Sequence, residues 1–220
     1  MCSQQPAHKL LMRAIQAGDI AKAIQILSKP NQLPDFSYID EQGRSVLHHA
    51  VRLPETSVLS KILGYCSTEE ATRENSRNGR TPLMTASNFG KTEACVLLLD
   101  KIDNKDKETE AILQQDTNFC NCIQYAAGNG HAETLALLFS RAAVTADLVK
   151  AVDGGLNTPL HKAAAGGHAN VVSFLLDKGA NTNVENCDGM TPMQMAESAM
   201  ADDWQQVVAL LGQGKGGRFK

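Results

Sequence analysis

The chain has 220 residues and a formal net charge of −3, with 43% hydrophobic, 20% charged and 5% aromatic residues. That balance excludes default disorder, and it excludes a dedicated nucleic-acid binder, which needs a basic excess to neutralise phosphates. No run of 18 apolar residues occurs, so no membrane span is expected, and a core poor in aromatics must be built from Ala, Leu, Val, Ile and Met, which suits close-packed helices better than a β-sandwich.

In chain order, one block of about seven residues recurs six times. Its faintest copy is residues 9–15, followed by Gly18 and a second apolar set at Ala23, Ile26 and Leu27, where a polar Lys22 suits a terminal cap. Residues 30–38 form a long connection. The second copy, residues 45–51, has Pro54 where the others have Gly, then Val58, Leu59, Ile62 and Leu63. Another long connection, residues 66–76, leads to Thr81-Pro82-Leu83-Met84-Thr85-Ala86-Ser87, Gly90, and Ala94, Cys95, Leu98 and Leu99. Residues 102–117 are longer still, and their charge run at 103–110 alternates in sign and reads as a solvated loop.

The fourth copy is residues 121–127, then Gly130 and Thr134, Leu135, Leu138 and Phe139. The fifth, Thr158-Pro159-Leu160-His161-Lys162-Ala163-Ala164, is followed by Gly167 and by Val171, Val172, Leu175 and Leu176. The sixth, residues 191–197, has Met200 in place of Gly; Val207, Leu210 and Leu211 fit the period only with two residues inserted around 200–203. The offsets of one, four and five within each second set put its members on one helical face. Thr158 is a good N-cap, Pro159 sits at the first helical position, and Gly167 and Gly179 stand where a helix ends in left-handed backbone. The pattern predicts six helix–turn–helix units that bury their apolar faces against each other.

Residues 153–183 read DGGLNTPLHKAAAGGHANVVSFLLDKGANTN. This stretch closely resembles the ankyrin repeat consensus, and the other copies extend the resemblance over about residues 5–212. It implies an all-α solenoid with short β-hairpin loops, in units near 5–36, 40–76, 77–115, 116–152, 153–185 and 186–212, with a flexible basic tail over 213–220. In the family, hairpin tips and inner helices line a concave groove that binds other proteins, and the four His at 48, 131, 161 and 168 bond backbone between units.

By that register the partner-binding candidates at the tips are Arg44, Arg80, Phe119, Leu156 and Met190. Those on the inner helices are His49, Thr85, Tyr125, Lys162 and Met195, with Arg52, Asn88, Phe89 and Asn129 near the helix ends. Phe119 replaces the hairpin Gly of the family. The face reads as apolar at its centre with arginines toward the N-terminal half, so an acidic partner surface with aromatic or aliphatic residues fits it.

Rival chemistry is thin. Cys120, Cys122 and His131 invite a zinc reading, but an inner helix would hold Cys122 and His131 roughly 12 Å apart, too far to share an ion at 2.0–2.3 Å. The six Cys include no C-x-x-C pair, and residues 1–16 lack a secretory pattern, so reduced thiols in a cytoplasmic chain are expected, in a host cytoplasm if the chain is secreted. No phosphate loop, nucleophile elbow or H-E-x-x-H occurs. The expectation is a non-catalytic protein-interaction module, a scaffold or inhibitory adaptor, monomeric, with no cofactor, metal, nucleic acid or membrane. The alternatives are a secreted bacterial effector acting on a host protein, or a regulatory subunit of an enzyme or transcription factor.

Overall fold

A computed structural model describes residues 6–29, 33–102, 104–143 and 145–213. Six helix pairs run along it. They are α1 (Ala7–Gln16) with α2 (Ile20–Leu27), α3 (Val46–Ala50) with α4 (Ser57–Tyr65), and, beyond the short α5 (Thr68–Thr72), α6 (Pro82–Asn88) with α7 (Thr92–Asp100). After α8 (Lys105–Leu113) come α9 (Cys122–Gly128) and α10 (Ala132–Arg141); after α11 (Thr145–Lys150) come α12 (Pro159–Ala165) with α13 (Ala169–Asp177), then α14 (Pro192–Ala199) with α15 (Trp204–Gln213). Among the described residues the only β-pairing is an isolated bridge between Ile39 and Ser45.

The pairs stack in two layers. The first helices of successive pairs pack on one another (α1, α3, α6, α9, α12, α14), and the second helices form a parallel layer (α2, α4, α7, α10, α13, α15). Between the layers lies one continuous core, including Leu47, Met84, Leu99, Ile123, Leu135 and Leu138, each less than 2% exposed. Ala14, Ala50, Ala86, Ala126, Ala163 and Ala196, one per inner helix, are all buried; so small a side chain lets adjacent inner helices approach closely.

The inner helices after α1 begin on capping side chains. Thr81, Thr158, Asn121 and Thr191 accept the amide of the residue three further on. In the second and fifth units the side chain returned to the cap is His48 or His161; in the fourth and sixth it is Gln124 or Gln194. Five of the six turns between inner and outer helix pass through left-handed backbone, supplied by Gly18, Gly90, Gly130 and Gly167 and, in the sixth unit, by Met200 at φ 46°; the second unit, with Pro54, turns without it. Glycine is doubly required at 90 and 130, where a Cβ would meet the rings of His131 and His168 at 2.5 and 2.7 Å. The two extra residues of the sixth unit fall in α14 and in the turn before Trp204.

The long connections differ from the expectation. Residues 102–117 are not a solvated loop but carry α8, started by Asn104, whose side chain accepts the amides of Asp106 and Lys107. Ile112 is fully buried, and Glu108, though in the charge run, is 7% exposed. Its carboxylate takes both Nε (2.8 Å) and Nη2 (3.1 Å) of Arg141 on α10, whose Nη1 reaches Asp100 at 2.7 Å. The alternating charges are therefore one face of a helix whose other face is core. α5 buries Ala71, and α11 buries Leu148 and Val149 in the same manner. Asp103, Cys2 and the tail beyond residue 213 lie outside the described residues.

Candidate functional site

The face built from the hairpins and inner helices follows one rule. A hairpin opens on Asp40, Asn75, Asp116, Asp153 or Asn186. The first side-chain oxygen of Asp40 accepts the amides of Gln42 (2.9 Å) and Arg44 (2.8 Å). Asp116, Asp153 and Asn186 hold their turns in the same way. Asn75 accepts only Arg77 N–H (2.8 Å), because its hairpin is one residue longer.

The second side-chain atom reaches the inner-helix residue nine positions on. His49 Nε2 lies 2.8 Å from Asp40, Tyr125 donates its hydroxyl to Asp116, Lys162 Nζ lies 2.5 Å from Asp153, and Asn186 Nδ2 lies 3.5 Å from the Met195 sulfur. This corrects two expectations. His49 (7% exposed) and Tyr125 (9%) are tied down beneath the face and are not free contacts on it. Their partners were legible in principle: an Asp or Asn stands five residues before each cap, six in the third unit.

The electrostatics agree with the geometry. Burial opposes ionisation of Asp40, but the bonds from Arg44, His49 and Gln42 outweigh it and hold the carboxyl below its ordinary range. Burial also lowers His49, so the pair is a carboxylate and a neutral imidazole at neutral pH. Asp153 is likewise held low against its burial, chiefly by Lys162. Burial, and then the bond to Asp116, pushes the Tyr125 phenol up.

Arg80 spans two units. Its guanidinium sits 4.4 Å over the Tyr125 ring, and its Nε lies 3.3 Å from Asp116, whose side chain is wholly buried. Arg52 sits 5.0 Å over the ring of Phe89, which stays 46% exposed. Between these arginines and Arg44 opens a cavity of about 120 Å³ that also takes in Thr85 and Asn88. Thr85, Lys162, Met190 and Met195 are half-buried; Asn129 is exposed and donates to the Tyr125 carbonyl at 2.9 Å.

The hairpin tips require left-handed backbone at their fourth position, or fifth in the longer third hairpin. Gly43, Gly79 and Gly189 meet it with glycine, whereas the fourth and fifth units place Phe119 (φ 59°) and Leu156 (φ 58°) there. Sequence reading recognised the substitution at Phe119 and missed its twin at Leu156. Both side chains are exposed, at 58% and 50%, and the Phe119 ring lies against Gly154 of the next hairpin.

The histidines and buried cysteines have structural partners or apolar surroundings. His48 and His161 accept at Nδ1 from their cap residues and donate from Nε2 to the carbonyls of Arg80 (2.8 Å) and Met190 (3.1 Å), so each is a neutral strut between units. His131 and His168 reach the carbonyls of Asn88 and Gly128. Burial pushes the Cys66 and Cys95 thiols up to about 12, away from the thiolate a nucleophile needs. Cys122 is buried against the Ala111 carbonyl. Among the described residues no three His, Cys, Asp or Glu side chains converge as a metal site would, and no helix is long and apolar enough to cross a membrane.

Comparison with known proteins agrees with this architecture. The family model for ankyrin repeats (three copies) matches residues 58–149 and 123–214. The Probable E3 ubiquitin-protein ligase XBOS32 of Oryza sativa subsp. japonica is 32% identical over 200 residues, covering 78% of this chain and 38% of that protein. E3 ubiquitin-protein ligase XBAT33 of Arabidopsis thaliana is 45% identical over 58 residues, 26% of this chain and 11% of the relative. The B-cell lymphoma 3 protein homolog of Mus musculus is 27% identical over 172 residues, 75% of this chain and 35% of the relative. The chain thus spans well under half the length of these relatives.

Proposed function

The chain belongs to the ankyrin repeat family, whose arrays are protein–protein interaction modules, and from that premise we propose that it is a non-catalytic scaffold or inhibitory adaptor that binds a partner protein across its hairpin and inner-helix face. The observation that carries this reading is the pair Phe119 and Leu156. Two large apolar side chains stand exposed on neighbouring tips, each in backbone that disfavours a side chain, at a cost of order 1 kcal/mol or more per residue. About half of each side chain is left to solvent, surface that burial against a partner would cover. The stiff array keeps the ordering entropy of binding small. The unpaired thiols of Cys66, Cys95, Cys120, Cys122 and Cys187 support a reducing, cytoplasmic setting.

The test is affinity capture from cell lysate with the wild type beside a Phe119→Gly/Leu156→Gly bait, read by mass spectrometry. A partner retained by the wild type and lost by the variant is expected. A partner held equally by both baits would remove the tips from the interface and sink the reading. The plant relatives favour a second reading, in which the array chooses the protein that a ubiquitin ligase modifies. Faster degradation of the captured partner in cells that carry the chain, reversed by proteasome inhibition, would select it.

A further inference from the structure

The arginine cavity between the second and third units has a chemistry of its own. Among the residues that line it are Arg44, Arg52, Arg80, Asn75, Asn88 and Phe89. No carboxylate lines it, although the chain as a whole is acidic. The nearest acids are engaged elsewhere, Asp40 with His49 and the hairpin amides, and Asp116 with Tyr125 and one edge of Arg80. His48, which also borders the cavity, is a neutral donor to a carbonyl and adds no charge. Among the described residues the Arg44 guanidinium has no carboxylate partner, and Arg52 has only the Phe89 ring.

A second observation points the same way. Asn75 borders the cavity with its Oδ1 spent on the Arg77 amide, which leaves the Nδ2 end of that side chain available to an acceptor. The Asn88 amide adds another, its Oδ1 being the atom that accepts from Asn129. A cavity of about 120 Å³ holds roughly four waters at about 30 Å³ each, room for an oxyanion group and its last methylene.

We infer that this cavity is a receptor for an oxyanion carried on a partner side chain, phosphoryl or carboxylate, gripped by Arg44 and Arg52 and oriented by the amides of Asn75 and Asn88. Guanidinium forks match such groups in geometry, and the Phe89 ring forms an apolar wall for the carbon stem. Arg80 closes the far side, with its position fixed by Asp116 and Tyr125 and not by the ligand. The inference deepens the proposed function and rests on the same face, since it states what the partner must present beside the apolar tips.

The test uses the full chain and records arginine Nε–Hε NMR signals during titration. The probes are the acetyl methylamides of phosphoserine, glutamate and serine, with inorganic sulfate as a free dianion. Saturable shifts at Arg44 and Arg52 are expected with phosphoserine or glutamate and none with serine, and the tighter of the two anions identifies the partner group. Arg44→Gln and Arg52→Gln, both at solvent-accessible positions, are each expected to weaken the response by about tenfold. Lys178→Gln, on the outer layer, should leave it unchanged. Equal shifts at Arg141, sulfate matching the peptide anions, or titration unaffected by Arg44→Gln would overturn the inference. If no anion titrates while the tip variant still loses its captured partner, the oxyanion site falls and the interaction module stands.

Discussion

The second and fourth hairpins solve one backbone problem with opposite chemistry. Both turns are held by an aspartate and both pass through a left-handed residue at the tip. At Gly43 a Cβ would meet Ser76 Oγ at 2.5 Å and Asn75 Oδ1 at 2.7 Å, so the neighbouring hairpin excludes any side chain. Phe119 carries a full side chain at the equivalent point, 58% exposed, and its ring lies beside Gly154, where there is no side chain to meet it. The turn fixes the dihedral; the neighbour decides whether a residue other than glycine can occupy it. Tight stacking in the N-terminal half leaves arginines as its accessible groups, and looser tips in the C-terminal half leave apolar ones.

The largest expected effect lies at the aspartate that joins those halves. Asp116 receives Arg80, the Tyr125 hydroxyl and two turn amides, with no exposed side-chain surface. Asp116→Ala strands all of them and should destabilise by about 3–5 kcal/mol in urea unfolding. A loss below about 1 kcal/mol would mean that packing, not this carboxylate, holds the third and fourth units together.

Acid should separate the units next. Burial holds His48 down to about 4, against 6.5 in an ordinary environment, and lowers His161 in the same direction. The unfolded chain therefore binds protons first as pH falls. The stability from neutral His48 is complete above pH 6.5 and is lost between 6.5 and 4, about 3 kcal/mol at the lower end. The fourth and sixth units make the same cap with Gln124 and Gln194. His48→Gln/His161→Gln should flatten the melting temperature over this range while the wild type falls steeply; parallel curves would refute the assignment.

Asn121 is the one inner-helix cap of the fourth unit that breaks the Ser/Thr pattern of Ser45, Thr81, Thr158 and Thr191. Among the described residues its Nδ2 is the single buried side-chain nitrogen or oxygen without a partner. Asn121→Thr keeps the oxygen that accepts the Gln124 amide and deletes the orphan donor. A gain of about 1–2 kcal/mol is expected. No gain would show that the amide finds water.

The periodic apolar positions carried most of the fold, because each sits in a core that demands a similar residue in every unit. The threefold Thr-Pro start and the turn glycines located the inner helices for the same local reasons. What escaped was whatever depended on a neighbouring unit. The run from Lys105 to Glu110 looks solvated until Arg141, more than thirty residues later, supplies its partner. His49 and Tyr125 occupy the outward register of their helices, and only the aspartate nine residues earlier reveals that they are bound down. Register alone puts Leu156 at a tip, yet its left-handed backbone is visible only once the Asp153 turn is aligned with that of Gly43. Arg44, Arg52 and Arg80 could be placed on one face by register, but the cavity that opens between them, bordered also by Asn75 and Asn88, could not.

The smallest effect discriminates most directly between structure and function at the tips. Phe119→Gly removes backbone strain and exposed apolar surface together, so the free protein should gain about 1 kcal/mol, and Leu156→Gly about the same. The reverse exchange is not symmetric, because Gly43→Ala meets the second and third hairpins as well as the dihedral penalty and should lose more than either glycine variant gains. A stabilised Phe119→Gly protein that binds its partner more weakly would mean that the ring is kept at the expense of stability for the interface. A destabilised one would mean that the contact with Gly154 outweighs the strain, and the exposed ring would then be a wedge between two hairpins.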